Sequence, residues 1–147
     1  MKPSSPAAPP PRPAKHRVFV VDDHHLMRRS IVDAITRDPR LTVCGQAEDA
    51  PAALAAIAVL QPDLVVTDIE LKDSSGLDLI KILRAQTPAL PIVAASMFEL
   101  TRISHLARQA GATEFIAKQH GPKRLVSLLH EVLQSQPTTV APPAPLG

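Results

Sequence analysis

A chain of 147 residues and 15.7 kDa has the size of one domain, and with a single cysteine, Cys44, it can form neither an intrachain disulfide nor a cysteine-based zinc site. Three Phe and no Trp or Tyr exclude a base-stacking platform for nucleic acid. The pI near 9.0 arises at the N-terminus, where Lys2, Arg12, Lys15 and Arg17 stand without an acid; the other 12 Lys and Arg face all 14 Asp and Glu, the reverse of a basic binding face.

Proline divides the chain. Six of its 16 prolines lie in residues 1–14 and four in 137–147. Residues 1–15 and 136–147 therefore read as disordered Pro-rich tails around a foldable body at 16–135. The longest apolar run, Ala52 to Leu60, has nine residues, too short to span a bilayer. Proline occupies the N-terminal stretch where a secretion signal needs an apolar segment. The expectation is a cytoplasmic protein.

Within the body, apolar runs alternate with amphipathic stretches. Arg17–Val21 (RVFVV) is short and β-branched and predicts a strand buried on both faces. His24–Arg37 carries apolar residues at helical spacing and stops before Pro39. Leu41–Ala47 predicts a strand with Cys44 as a small buried residue. Ala50–Leu60 predicts a helix with Pro51 in its first turn, where proline costs least. Asp63–Thr67 is a second apolar strand, followed by a helix at Gly76–Ala85 with Leu77, Ile80 and Leu83 on one side and Asp78, Lys81 and Arg84 on the other. Leu90–Ala95 is a strand, Glu99–Gln109 a polar helix, Thr113–Ala117 a strand, and Pro122–Leu133 a final amphipathic helix. Five strands and five helices in strict alternation predict an α/β fold with a parallel sheet and helices on both faces. Ligands of such folds bind beyond the carboxyl ends of the strands.

The strand ends carry chemistry. Strand one ends in Asp22-Asp23, strand three in Asp68, strand four near Ser96, and strand five just before Lys118. Two carboxylates about 4 Å apart repel by about 4 kcal/mol at an effective dielectric of 20, so clustered acids call for a cation. Hard carboxylate oxygens with no His or Cys among them suit Mg²⁺. His24 and His25 do not read as a metal pair, because neighbouring helical residues face different ways. His105, His120 and His130 read as surface residues.

Together these motifs resemble the receiver domains of two-component response regulators over residues 16–134. The carriers are Asp22-Asp23 after an apolar strand, Asp68 closing DLVVTD, Gly76 eight residues on, Ser96 closing IVAAS, and GATEFIAK ending in Lys118. The wording of VVDDHHLMRRSI and GATEFIAK is most similar to receivers that usually carry a LuxR-type DNA-binding domain. The resemblance implies a flavodoxin-like sheet of order 2-1-3-4-5. It implies Asp68 as phosphoacceptor, and Mg²⁺ or Mn²⁺ held by Asp23, by Asp22 largely through water, by Asp68 and by the backbone carbonyl of Glu70. It implies Ser96 as hydrogen-bond donor to a phosphoryl oxygen, Lys118 as its cationic partner, and Phe115 as an aromatic switch that turns inward as Ser96 moves. The implied phosphodonor is a sensor histidine kinase. Three features depart from the family's pattern: Leu71-Lys72 where Met-Pro is frequent, Gln119 where Pro often follows the lysine, and Glu70 and Phe98 two residues beyond Asp68 and Ser96.

The function so implied is a phosphorylation-activated switch that promotes phosphotransfer to its own aspartate, not an enzyme for an outside substrate. A Mg²⁺-dependent hydrolase of the haloacid-dehalogenase type would need its nucleophile in D-x-D after the first strand, where Asp22-Asp23-His24 stands. No glycine-rich nucleotide loop is present. Few residues follow Leu133, so no DNA-binding module is expected there. Three expectations stay open: a stand-alone receiver that docks an output protein, a relay to a histidine phosphotransfer protein, or a truncated relative of DNA-binding regulators. The expected output face comprises the helix 99–109, the strand 113–117 and the helix 122–133, with Arg102, His105 and Arg108 as a cationic stripe. A phosphorylation-dependent homodimer is compatible with this face.

Overall fold

The computed structural model describes residues 15–72 and 74–136, so the two predicted tails, save residues 15 and 136, lie outside the described residues. The elements are β1 (His16–Val21), α1 (His25–Arg37), β2 (Leu41–Ala47), α2 (Ala50–Leu60), β3 (Leu64–Asp68), α3 (Gly76–Gln86), β4 (Ile92–Ser96), α4 (Thr101–Ala110), β5 (Glu114–Ala117) and α5 (Pro122–Ser135). The five strands form one parallel sheet in the order β2-β1-β3-β4-β5, as the resemblance implies.

The apolar strand runs divide their residues between two cores. Phe19, Val21, Val65, Ile92 and Ala94 pack with α2, α3 and α4 on one face. Val18, Val20, Leu64, Val66, Val93 and Ala95 pack with α1 and α5 on the other. Side chains alternate across a strand with period two, so a strand covered on both faces must be apolar throughout. Each helix shows its apolar stripe to one core: Ile31 and Ile35 from α1, Leu79, Ile80 and Leu83 from α3, Leu125, Leu128, Leu129 and Val132 from α5.

Two pieces were not foreseen. A two-residue antiparallel ladder pairs Glu70 with Ser75 and Leu71 with Ser74, folding the chain back after β3. A single 3₁₀ turn, Lys118–His120, follows β5. About half of the element boundaries shift by one or two residues from expectation. The starts of α2 and α3 fall where expected, and both are capped: Asp49 Oδ1 accepts from the Ala52 N–H, and Ser75 Oγ from that of Asp78. The β1–β2 register slips between Val18 and Phe19, where Cys44 is passed over and Phe19 pairs with Gly45. A Cβ at Gly45 would lie 2.7 Å from the Phe19 ring, so glycine lets β2 approach the core there.

Candidate functional site

The carboxyl ends of β1, β3, β4 and β5 converge. In-register pairing places Asp68 beside Ala95, and Ser96 beside Ala117. Parallel strands that begin together also end together, so the residue leaving each strand arrives at one sheet edge. Asp22, Asp68 and Ser96 are all buried there.

The Lys118 ammonium sits at the centre. Its Nζ donates to Asp22 Oδ2 at 2.7 Å and to Asp68 Oδ2 at 2.8 Å, with the side chain 3% exposed. Burial alone would lower its pKa; the hydrogen bonds to the two carboxylates outweigh burial and raise it. Burial raises the Asp68 carboxyl above its ordinary range, and the opposing bond from Lys118 does not cancel this. Asp68 is therefore a poorly hydrated carboxylate held in place by one ammonium and by the Glu70 N–H, which donates to its Oδ1 at 3.0 Å.

Asp23 lacks such support. Its buried Oδ1 has no hydrogen-bond partner among the described residues; His24 Nδ1 lies 3.1 Å away without hydrogen-bonding geometry. Three carboxylates against one ammonium leave two uncompensated negative charges when His24 is neutral. An orphaned buried oxygen in a pocket short of two positive charges fits a divalent cation, and oxygen donors fit Mg²⁺ or Mn²⁺.

His24, but not His25, lies beside the acids. Its Nδ1 lies 3.3 Å from Asp22 Oδ1 and 3.7 Å from Asp68 Oδ2, and Asp22, Asp23, His24 and Asp68 can bring ligand atoms within 4.8 Å of one another. The helical-neighbour rule does not reach it, because α1 begins at His25 and His24 is extended, its N–H held by Asp22 Oδ1 at 2.9 Å. His25 turns away to Glu48, so the two histidines do not act as a pair.

Arg28 is assigned no role by any sequence motif. It is buried on α1, and its Nη1 donates to the Asp22 carbonyl at 2.6 Å while Nε donates to Gln46 Oε1 at 2.9 Å. It fixes the backbone of the acidic turn. The only sequence signal is an arginine one turn beyond His24, where a helix entering this edge must place some side chain.

Ser96 donates through Oγ to Glu70 Oε1 at 3.0 Å and accepts from the Phe98 N–H at 3.2 Å. Glu70 thus uses its carboxylate on Ser96 and its N–H on Asp68. Phe115 is half-buried on β5, packs against the α2–α4 core, and lines a surface cavity of about 560 Å³ with Leu100, Ser104, His120 and Arg124.

Four other readings change. Cys44 is half-buried, its Sγ 3.5 Å from the Val18 carbonyl, and burial raises its thiol pKa. His130 is largely covered, 2.6 Å from Asp38 Oδ2. Arg108, though exposed, is tied back to Glu114 Oε2 at 2.8 Å, which leaves Arg102 and His105 as the part of the expected stripe with no salt bridge among the described residues. Arg84, expected on a solvated face, holds the Gly111 carbonyl through Nε and Nη2 at 2.9 and 2.8 Å.

A family model described as the response regulator receiver domain matches residues 18–130. The chain is 37% identical over 107 residues to a protein-glutamate methylesterase/protein-glutamine glutaminase of Geobacillus kaustophilus, covering 72% of this chain and 31% of that one. It is 33% identical over 102 residues to the DNA-binding transcriptional activator DevR/DosR of Mycobacterium tuberculosis, covering 69% and 47%. The chain therefore spans about a third to a half of the length of these curated relatives. Among solved structures, a LuxR-family two-component response regulator from Aurantimonas sp. SI85-9A1 superposes with a TM-score of 0.79 at 28% identity, covering 84% of this chain and 88% of that one. The response regulator domain of Thermotoga maritima CheB superposes with a TM-score of 0.72 at 31% identity, covering 84% and 97%.

Proposed function

The chain belongs to the response regulator receiver family, and from that premise we propose that Asp68 is its phosphoacceptor, served by Asp22, Asp23, Ser96 and Lys118. The observation that carries this reading is the Lys118 ammonium bridging Asp22 and Asp68 beside the orphaned Asp23 oxygen. Receiver domains are signalling switches phosphorylated by sensor kinases. The donor here is a phosphohistidine of a sensor histidine kinase. An Asp68 carboxylate oxygen forms the new P–O bond as the P–N bond breaks, and the leaving imidazole nitrogen takes up a proton.

Asp22, Asp23 and Asp68 would hold the divalent cation, with the Glu70 carbonyl as a further oxygen ligand. A bound Mg²⁺ or Mn²⁺ supplies charge neutralisation for the equatorial phosphoryl oxygens. Lys118 exchanges its contact with Asp68 for the phosphoryl group, and Ser96 donates its proton to a phosphoryl oxygen. Because the catalytic groups act on the chain's own aspartate, the result is a switch and not turnover of an outside substrate.

The receiver unit is residues 16–135, flanked by the two Pro-rich tails. Output runs through α4, β5 and α5, because Ser96 and Lys118 stand at the edges of these elements and Phe115 lines the cavity between them. The partner at that face is an output protein or a histidine phosphotransfer protein. Among the described residues no helix is long and apolar enough to cross a membrane, and a cytoplasmic setting agrees with a single, half-buried cysteine.

Acetyl phosphate with Mg²⁺, followed by borohydride reduction and mass mapping, should place the label on Asp68. Asp68→Asn should abolish labelling with the circular dichroism spectrum unchanged. Label on Asp22 or Asp23 would overturn the assignment.

A further inference from the structure

We propose that the Glu70 side chain is a positioning residue that holds the Ser96 hydroxyl away from the phosphoryl site until Asp68 is modified. This rests on the roles given above to Asp68 and Ser96. A serine hydroxyl has one proton to donate. Here that proton points to Glu70 Oε1 at 3.0 Å, and the Phe98 N–H occupies an acceptor position on the same oxygen at 3.2 Å. While Ser96 donates to Glu70, it cannot donate to a phosphoryl oxygen on Asp68.

Glu70 is well placed to hold on, and also to let go. Its backbone is anchored twice, by its N–H on Asp68 Oδ1 at 3.0 Å and by pairing with Ser75 in the short ladder. Ser96 is fully buried, so its hydroxyl has few alternative partners, whereas Glu70 is exposed and can turn to water. The carboxylate stands two residues from the acceptor. A phosphoryl group there brings about two negative charges, which repel Glu70 and attract the Ser96 proton. The group that arrives thus loosens the contact that opposes it, and the two states differ in one hydrogen bond whose acceptor changes.

The experiment titrates the full chain with beryllofluoride at saturating Mg²⁺ and follows amide chemical shifts. One net hydrogen bond of about 1 kcal/mol corresponds to about a fivefold change in affinity, and bonds to charged acceptors exceed this. Glu70→Ala should therefore bind beryllofluoride about fivefold more tightly or better. Glu70→Gln, which keeps an acceptor oxygen without the charge, should gain less, since a neutral bond is about half as strong. In a Ser96→Ala background, Glu70→Ala should gain nothing, because the contact it releases is already gone. Thermal unfolding of each variant checks that affinity and stability do not move together.

An unchanged affinity in Glu70→Ala would overturn the proposal. So would an equal gain with and without Ser96, which would assign the effect to charge repulsion alone. If beryllofluoride modified none of these proteins, the Asp68 assignment would fail and this inference with it. Modification without coupling between Glu70 and Ser96 would sink this inference alone.

Discussion

Lys118 and Asp23 stand at opposite ends of one electrostatic problem. Lys118 offsets one of the two charges on the acids it touches, and Asp23 is left with an oxygen that no hydrogen bond satisfies among the described residues. Asp23→Ala should therefore abolish Mg²⁺ binding in a calorimetric titration. It should also raise the stability of the metal-free protein by about 1 kcal/mol, since repulsion among partly screened carboxylates is relieved. Retained Mg²⁺ affinity, or a lower unfolding midpoint in EDTA, would contradict the site. At this scale the acids and the lysine were legible in the sequence, each by its place at a strand end. His24 and Arg28 were not: one owes its position to a single extended residue before α1, the other to burial of a guanidinium against the Asp22 carbonyl.

Elements meet through a few polar ties that periodicity does not encode. His130 on α5 reaches Asp38 at the end of α1, and Arg40 donates to the same carboxylate. Partial burial would raise the Asp38 pKa, but the bonds from His130 and Arg40 prevail and lower it from 3.8 to about 2. A depressed carboxyl stabilises the fold fully above its unfolded pKa, and that stabilisation is lost as pH falls from about 4 to about 2. The shift corresponds to about 2.5 kcal/mol at most, and solvent screening of a surface pair reduces it to about 1 kcal/mol. Asp38→Asn should thus unfold at lower denaturant at pH 6, with the gap from wild type closing as pH falls from about 4 to about 2. A gap independent of pH would remove the linkage. The start of α3 shows a second kind of tie. A Cβ at Gly76 would lie 2.0 Å from the Asp68 carbonyl, so only glycine lets α3 begin against the backbone of Asp68.

Across the whole molecule, the pocket joins the sheet's middle to one of its edges. Asp22 and Asp68 end the central strands β1 and β3, whereas Ser96 and Lys118 belong to the side carrying α4, β5 and α5. Modification of Asp68 should therefore displace amide shifts across residues 96–133 far more than those of α2 at 50–60, which packs on the opposite half. A small displacement at Ser96 becomes a change of surface when packed elements have two arrangements, and the cavity beside Phe115 provides room for the second. Beryllofluoride shifts confined to the immediate pocket, together with a Phe115→Ala variant that switches normally, would place the output elsewhere.

The sequence by itself determined the alternation of strands and helices, the two-sided burial of β1 and the apolar run of β3, and the residues that close each strand. These follow from period-two and period-3.6 apolar patterns and from charges that interrupt them, all of which are local. The strand order came from family resemblance, because alternation alone is compatible with several orders. Only the tertiary structure decided that Lys118 spends its ammonium on Asp22 and Asp68, that Glu70 holds Ser96, that Arg108 turns back to Glu114, and that His24 faces the acids. Each of these is a choice among several partners within reach of a flexible polar side chain. Nothing local makes that choice; it depends on which backbone groups and charges the closed sheet brings to the same few ångströms.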